Sequence, residues 1–288
     1  MLPPPDRSPV RSACCPGLYI ARSTPGERPD PVSCPRDYRL IRLWGRTEKA
    51  GPLWGESPYD FSEATLLCQE GAETAAAAAG YAAPSPDWIL ALAPELFEGT
   101  SGEKDRPPYS FFRYRPREAL HLSHSEKETL TACFDDIFTE TRYPDAPCHR
   151  AILSRHLERM VRYIARFYER QFISREPADE DLLERCDRYL EEYLRSGQGR
   201  TAPSDADCAR VLGLSASYFT DLLRYHRGYG PTDYYRKKQM DIAREKLRTT
   251  DLPAGRIAAA LGFPSERYFS LLFKKLTGTT PEAFRHCN

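Results

Sequence analysis

No C-x-x-C pair occurs in this sequence. Its nine cysteines (Cys14, Cys15, Cys34, Cys68, Cys133, Cys148, Cys186, Cys208 and Cys287) are odd in number and irregularly spaced. A disulfide framework or zinc ribbon needs paired, regular spacing, so both are excluded. The cysteines read as reduced thiols of a cytoplasmic protein, most of them buried as small apolar groups. No apolar run approaches the ~20 residues that cross a bilayer. The opening MLPPPDRSPVRSACCPG holds no uninterrupted apolar stretch of the secretory kind. An excess of one charge is also missing. The 41 Lys+Arg balance 41 Asp+Glu, which excludes a uniformly basic nucleic-acid coat and an acidic solvating tail. Histidine is scarce: six in the chain and none from Asp37 to Glu118. His121 and His124 flank a helix start, and His149 and His156 stand seven apart, so structural or surface roles suit them better than metal. The expectation is no metal, no other cofactor and no enzymatic activity.

What is present suffices for a sizeable core. Hydrophobic residues make up 41% of 288, with 13 Phe and 17 Tyr. At ~150 residues per domain, this length suits two domains. Residues 1–35 carry nine prolines and no hydrophobic periodicity, the composition of a disordered arm. From Asp37 to about Pro108, short apolar runs (Tyr38–Trp44, Leu66–Cys68, Trp88–Leu92) alternate with Gly and Pro, and Phe111–Tyr114 continues the texture. Several short strands of this kind predict a small β-sandwich or barrel, against which the helix-favouring run Ala75–Ala79 argues locally. Ser123-His-Ser-Glu126 is a capping box opening a helix with Leu130, Phe134, Ile137 and Phe138 on one face. A second amphipathic helix carries Ile152, Leu153, Leu157, Met160, Val161, Ile164, Phe167, Tyr168 and Phe172. It covers its own domain or serves a subunit interface. A third runs from Asp179 to about Leu194, and Ser196–Pro203 then punctuates the chain.

Charge is unevenly spread. Residues 201–288 hold 14 Lys/Arg against 9 Asp/Glu, a local surplus that suits a module meeting phosphates. The same stretch contains one pattern twice. Gly213 matches Gly262 at an offset of 49, while Phe219, Gly228 and Pro231 match Phe269, Gly278 and Pro281 at 50, so one residue is added inside the second turn. Each copy reads as helix-turn-helix. The glycine takes the left-handed turn, Ser215 or Ser265 caps the next helix, and an apolar stripe follows. The stripe is Phe219, Leu222 and Leu223 in one copy and Phe269, Leu272, Phe273 and Leu276 in the other. Tyr218 and Tyr268 adjoin it and read as packing residues. With the stripes buried, the outward faces carry Ser217, Thr220, Asp221 and Arg224, then Glu266, Arg267, Ser270, Leu271, Lys274 and Lys275. A helix from about Thr232 to Arg248 joins the copies. It would hold the faces about one DNA turn apart, roughly 34 Å, so that one chain reads two successive major grooves.

At this point a resemblance is plain. Tyr268-Phe269-Ser270, Phe273-Lys274-Lys275, Gly278, Thr280-Pro281 and Phe284-Arg285 resemble the signature of AraC/XylS-type transcription regulators. Tyr59–Ser62, Asp87–Leu90, Pro94–Phe97, Ala119–Leu122 and Phe167–Phe172 resemble the N-terminal half of one subgroup. The resemblance implies an α+β chain: a small cupin-like β-barrel with packed helices over 36–175, then an all-α double helix-turn-helix domain over 176–288. The first would sense an effector or dimerise. The second would bind double-stranded DNA, with base contacts from Ser217, Thr220, Asp221, Glu266, Arg267, Ser270 and Leu271. Phosphate contacts would come from Arg224 and Lys274. RNA polymerase, a small-molecule effector and a second copy of the chain are the further partners implied. Leu271 departs from the arginine common among relatives, and a leucine meets a thymine methyl rather than guanine. The alternative reading is a small-molecule or protein-interaction module with a degenerate DNA-binding domain.

Overall fold

The computed structural model describes residues 11–15, 17–23, 37–46, 55–70, 87–96, 109–196 and 203–286. The chain divides into two compact units, 1–175 and 176–288.

The first unit joins a sheet to two helices. Its strands are β1 (Arg11–Cys15), β2 (Leu18–Arg22), β3 (Arg39–Gly45), β4 (Ala64–Glu70), β5 (Trp88–Leu92) and β6 (Leu120–Leu122). They form one antiparallel sheet in the order β1-β2-β5-β3-β4-β6. The sheet is open. Its edges, β1 and β6, are not paired with each other among the described residues, so the closed barrel expected from the sequence is not what these strands form. Within the stretch 1–35 expected to be a disordered arm, residues 11–15 and 18–22 are strands, and the rest of it lies outside the described residues apart from Gly17 and Ser23. Ile20 registers with Leu90 and Leu18 with Leu92, and that apolar match holds β2 in the sheet. The run Ala75–Ala79 lies outside the described residues. Phe111–Tyr114 is not a strand either, since Ser110–Arg113 is a short 3-10 helix. Phe111 and Phe112 are neighbours and both buried, which a helical turn permits and a strand with one wet face does not.

Register assigns the two sheet faces. Ile41, Leu43, Leu66, Cys68, Trp88, Leu90 and Leu92 share one face. There Trp88 stacks on Phe134 of α1 (His124–Glu140), with ring centroids 5.3 Å apart. The capping box at Ser123 forms as the sequence predicts: Ser123 Oγ accepts from the Glu126 amide, and the Glu126 carboxylate accepts from the Ser123 amide. α2 (His149–Ser174) packs on α1, and its apolar stripe from Leu153 to Phe172 is buried within this unit, while Ile152, expected with them, is exposed. The opposite sheet face mixes Leu40, Trp44, Leu67, Ile89 and Ala91 with Arg42, Thr65 and Gln69. Arg42 donates to Gln69 Oε1 at 3.0 Å.

The second unit is all helix among its described residues: α3 (Glu176–Arg195), α4 (Asp205–Leu212), α5 (Ala216–Arg227), α6 (Pro231–Thr249), α7 (Ala254–Ala260), α8 (Glu266–Thr277) and α9 (Pro281–His286). α3 packs on α4 and α6. α6 opens on Pro231, whose missing N–H costs nothing in a first turn. It buries Gln239, which donates to the Leu261 carbonyl at 2.7 Å and so ties the joining helix to the end of α7. Of the cysteines, Cys68, Cys133, Cys186 and Cys208 are buried free thiols and Cys148 is exposed. No helix among the described residues is long and apolar enough to cross a membrane.

Candidate nucleic-acid interface

The same local physics builds both repeat copies. Gly213 ends α4 at φ 73°, and Gly262 follows α7 at φ 79°. A Cβ disfavours that left-handed conformation, so glycine is needed at both turns. Ser215 Oγ then accepts from the Tyr218 amide, and Ser265 Oγ from the Tyr268 amide, each at 3.1 Å. The first turn is Gly213-Leu214-Ser215 and the second Gly262-Phe263-Pro264-Ser265, so the added residue is absorbed before the cap. Both following helices, α5 and α8, have 12 residues. Each ends on a glycine, Gly228 or Gly278, whose amide bonds the Arg224 or Lys274 carbonyl.

The two faces differ in what covers them. On α5, Tyr218, Phe219, Leu222 and Leu223 are buried. Its C-terminal end is held by α3: His226 Nε2 lies 3.0 Å from Asp179 Oδ2, both nearly inaccessible, and Arg227 grips Glu180 at 2.8 Å. The Arg227 guanidinium beside Glu180 holds that carboxyl below its usual range. On α8, Phe269 and Phe273 are buried and Leu272 is half-buried. Leu276 corrects the predicted stripe, being 45% exposed. Leu276 occupies the place of His226 in the repeat, and among the described residues no counterpart of α3 covers it. Tyr268 likewise departs from its predicted packing role. It is exposed, whereas Tyr218 is buried.

The outward residues fall as follows. Ser217, Thr220 and Asp221 are half-buried on α5 and Arg224 is exposed. Thr220 donates to the Ala216 carbonyl of its own helix, and Arg224 lies 3.6 Å from Asp221. On α8, Arg267, Leu271, Lys274 and Lys275 are exposed and Ser270 is half-buried. Arg267, Lys274 and Lys275 form no ion pair among the described residues, and they stand against one carboxylate on this helix, that of Glu266. Glu266 is exposed but leans back on α7: a Cβ at Gly255 would stand 2.4 Å from its Oε2. Arg256 is an exposed cation on α7 that sequence reasoning did not single out. Its sole signal was a lone arginine amid the apolar and alanine positions of that helix. No cluster among the described residues could hold a metal ion.

Two capped helices of equal length, each preceded by a tight turn and joined by a long helix, define a double helix-turn-helix domain. Comparison with known proteins places it further. A family model described as a helix-turn-helix domain matches residues 208–286. The chain is 36% identical over 115 residues to the HTH-type transcriptional regulator GlxA of Rhizobium meliloti, covering 40% of this chain and 33% of that protein. It is 35% identical over 80 residues to the regulatory protein SoxS of Escherichia coli, covering 27% of this chain and 73% of that one. A transcriptional regulator structure from Chromobacterium violaceum, with an AraC-type DNA-binding domain, aligns with 38% of this chain and 94% of its own at 24% identity and a TM-score of 0.35. The chain belongs to the AraC/XylS family of transcription regulators. It spans about a third of the length of curated relatives such as GlxA.

Proposed function

We propose that this chain is a sequence-specific regulator of transcription that lays α5 and α8 into adjacent major grooves of double-stranded DNA. The observation that carries the reading is the pair of serine-capped 12-residue helices, each following a glycine turn and seated by buried phenylalanine or leucine side chains, with its polar residues on the other side. α6, with 19 residues, is roughly 28 Å long at ~1.5 Å per residue, on the scale of the ~34 Å turn of DNA that separates successive grooves. Base edges are read from Ser217, Thr220 and Asp221, and from Glu266, Arg267, Ser270 and Leu271. Arg224 and Lys274 meet phosphates. Arg267 is the leading reader, because its guanidinium is exposed and uncommitted and a guanidinium makes the bidentate contact that identifies guanine.

The first unit serves as a cupin-like sensing and dimerisation module in this reading. Arg42, Thr65 and Gln69 place polar groups among apolar ones on the sheet face away from α1, the mixture a small effector pocket needs. RNA polymerase is the partner through which bound DNA becomes regulation, in the cytoplasm. Selection from a random DNA pool, followed by a mobility shift of the recovered site, tests the reading. An enriched site spanning two successive major grooves is expected. If even low salt produces no shift, the chain is an interaction module and the proposal is wrong.

A further inference from the structure

Two thiols meet in the second unit. Cys186 of α3 and Cys208 of α4 are both free and buried. Their side chains hydrogen-bond to each other where the two helices pack. Cys186 is the donor. That bond, and burial behind it, push the Cys186 thiol up, while the same bond holds the Cys208 thiol below its ordinary value. Cys208 is therefore the one that ionises, and the thiolate is the reactive form of cysteine. The two differ in access as well. Cys208 keeps 6% of its surface and borders a cavity of about 280 Å³, whereas Cys186 keeps 1%. A peroxide little larger than water fits such a space, at ~30 Å³ for each water. Packing alone does not ask for sulfur here. In the second repeat copy the place of Cys208 is taken by Ile257, which is wholly buried.

We infer that Cys186 and Cys208 form a reversible disulfide when the chain meets hydrogen peroxide, with Cys208 attacking the peroxide and Cys186 closing the bond. The Cys208 thiolate attacks one peroxide oxygen and the O–O bond breaks. Hydroxide leaves and takes up the proton that Cys208 had lost, giving water and a sulfenic acid on Cys208. The Cys186 sulfur then attacks the Cys208 sulfur, the S–OH bond breaks, and the departing hydroxide takes the Cys186 proton as a second water. The two thiols lose two electrons and two protons, and one peroxide is reduced to two waters. The new bond, about 2.05 Å long, ties α4 to α3, the helix whose Asp179 and Glu180 already hold α5. It falls on the first repeat copy alone. The linkage goes beyond the DNA reading and is measured without DNA, so either can fail alone.

The test treats the folded full chain with hydrogen peroxide, alkylates the remaining thiols, digests with trypsin and reads the peptides by mass spectrometry. The expected main cross-link joins the peptide 186–188 to the peptide 201–210, and dithiothreitol should release both. Cys148, which is exposed, is the internal control for oxidation by exposure alone. Cys186→Ala should leave Cys208 as a sulfenic acid that dimedone captures, whereas in Cys208→Ala dimedone should capture nothing at Cys186. A native chain in which both peptides emerge alkylated and unlinked would overturn the proposal without recourse to any variant. So would a cross-link of either cysteine to Cys148 in preference to each other, or dimedone capture at Cys186 in place of Cys208.

Discussion

The two repeat copies share a backbone plan and differ in what surrounds it. In the first, α3 packs beside α4 and pins the far end of α5 through Asp179–His226 and Glu180–Arg227. In the second, the equivalent positions are Leu276 and Thr277; Leu276 stands exposed, and α8 keeps its cations unpaired among the described residues. A duplicated motif thus becomes an anchored helix and an open one. The lesson is that flanking structure, not the repeat itself, divides the labour. α5 has its polar groups partly satisfied within the protein, while α8 offers Arg267, Lys274 and Lys275 to whatever approaches.

The largest effect should leave the two copies alike. Phe219→Ala and Phe269→Ala each empty a fully buried ring position and should cost about 3–5 kcal/mol in denaturant unfolding. A markedly smaller loss for either would mean that its helix is not seated as described. His226→Ala then separates the copies. It leaves Asp179 buried without its imidazole, for about 1–3 kcal/mol, whereas Leu276→Ala at the matching exposed place should stay within ~0.5 kcal/mol. Equal losses would erase the asymmetry. In binding, Arg267→Ala should cost about 1–3 kcal/mol at the selected site and relax its sequence preference. Arg224→Ala should weaken all DNA alike and lower the salt slope by about one. The reverse pattern, read by mobility shift at several salt concentrations, would exchange their roles. Gly278→Ala should cost about 1–2 kcal/mol purely through its left-handed backbone, since a Cβ there meets nothing within 4 Å.

The smallest effect tests the anchor. Glu180 has its carboxyl lowered by Arg227 in the folded chain. Its contribution is therefore full above the ordinary carboxylate value and fades as pH falls through the lowered one. The pair is partly exposed, so Glu180→Gln should cost only ~0.5 kcal/mol at pH 7. The difference from the native chain should vanish in acid. A difference that persists at low pH would assign the effect to packing instead.

Much of the second unit is legible in its sequence. The turn glycines, Ser215, Ser265 and the apolar stripes are local devices, each acting within one or two turns of helix, and residues near in sequence decide them. The same held for the capping box at Ser123. Legibility ended where partners came from far away. β1 and β2 belong to a stretch that looks like a proline-rich arm until β5 gives β2 its register and β2 gives β1 its own, and Phe111–Phe112 look like a strand until burial on both sides demands a turn. Leu276 and Tyr268 carry the right spacing for a core and are nonetheless exposed.

The site divides along the same line. Which residues stand on the outer sides of α5 and α8 follows from a 3.6-residue period, and the sequence alone settled that. Which of them are uncommitted was settled by tertiary structure. Only folding brings α3 to α5, where Asp179 meets His226 and Glu180 meets Arg227, and rests Glu266 on Gly255. Helical period and capping act over a few residues, whereas burial and ion pairing depend on segments tens of residues apart whose meeting no local pattern records.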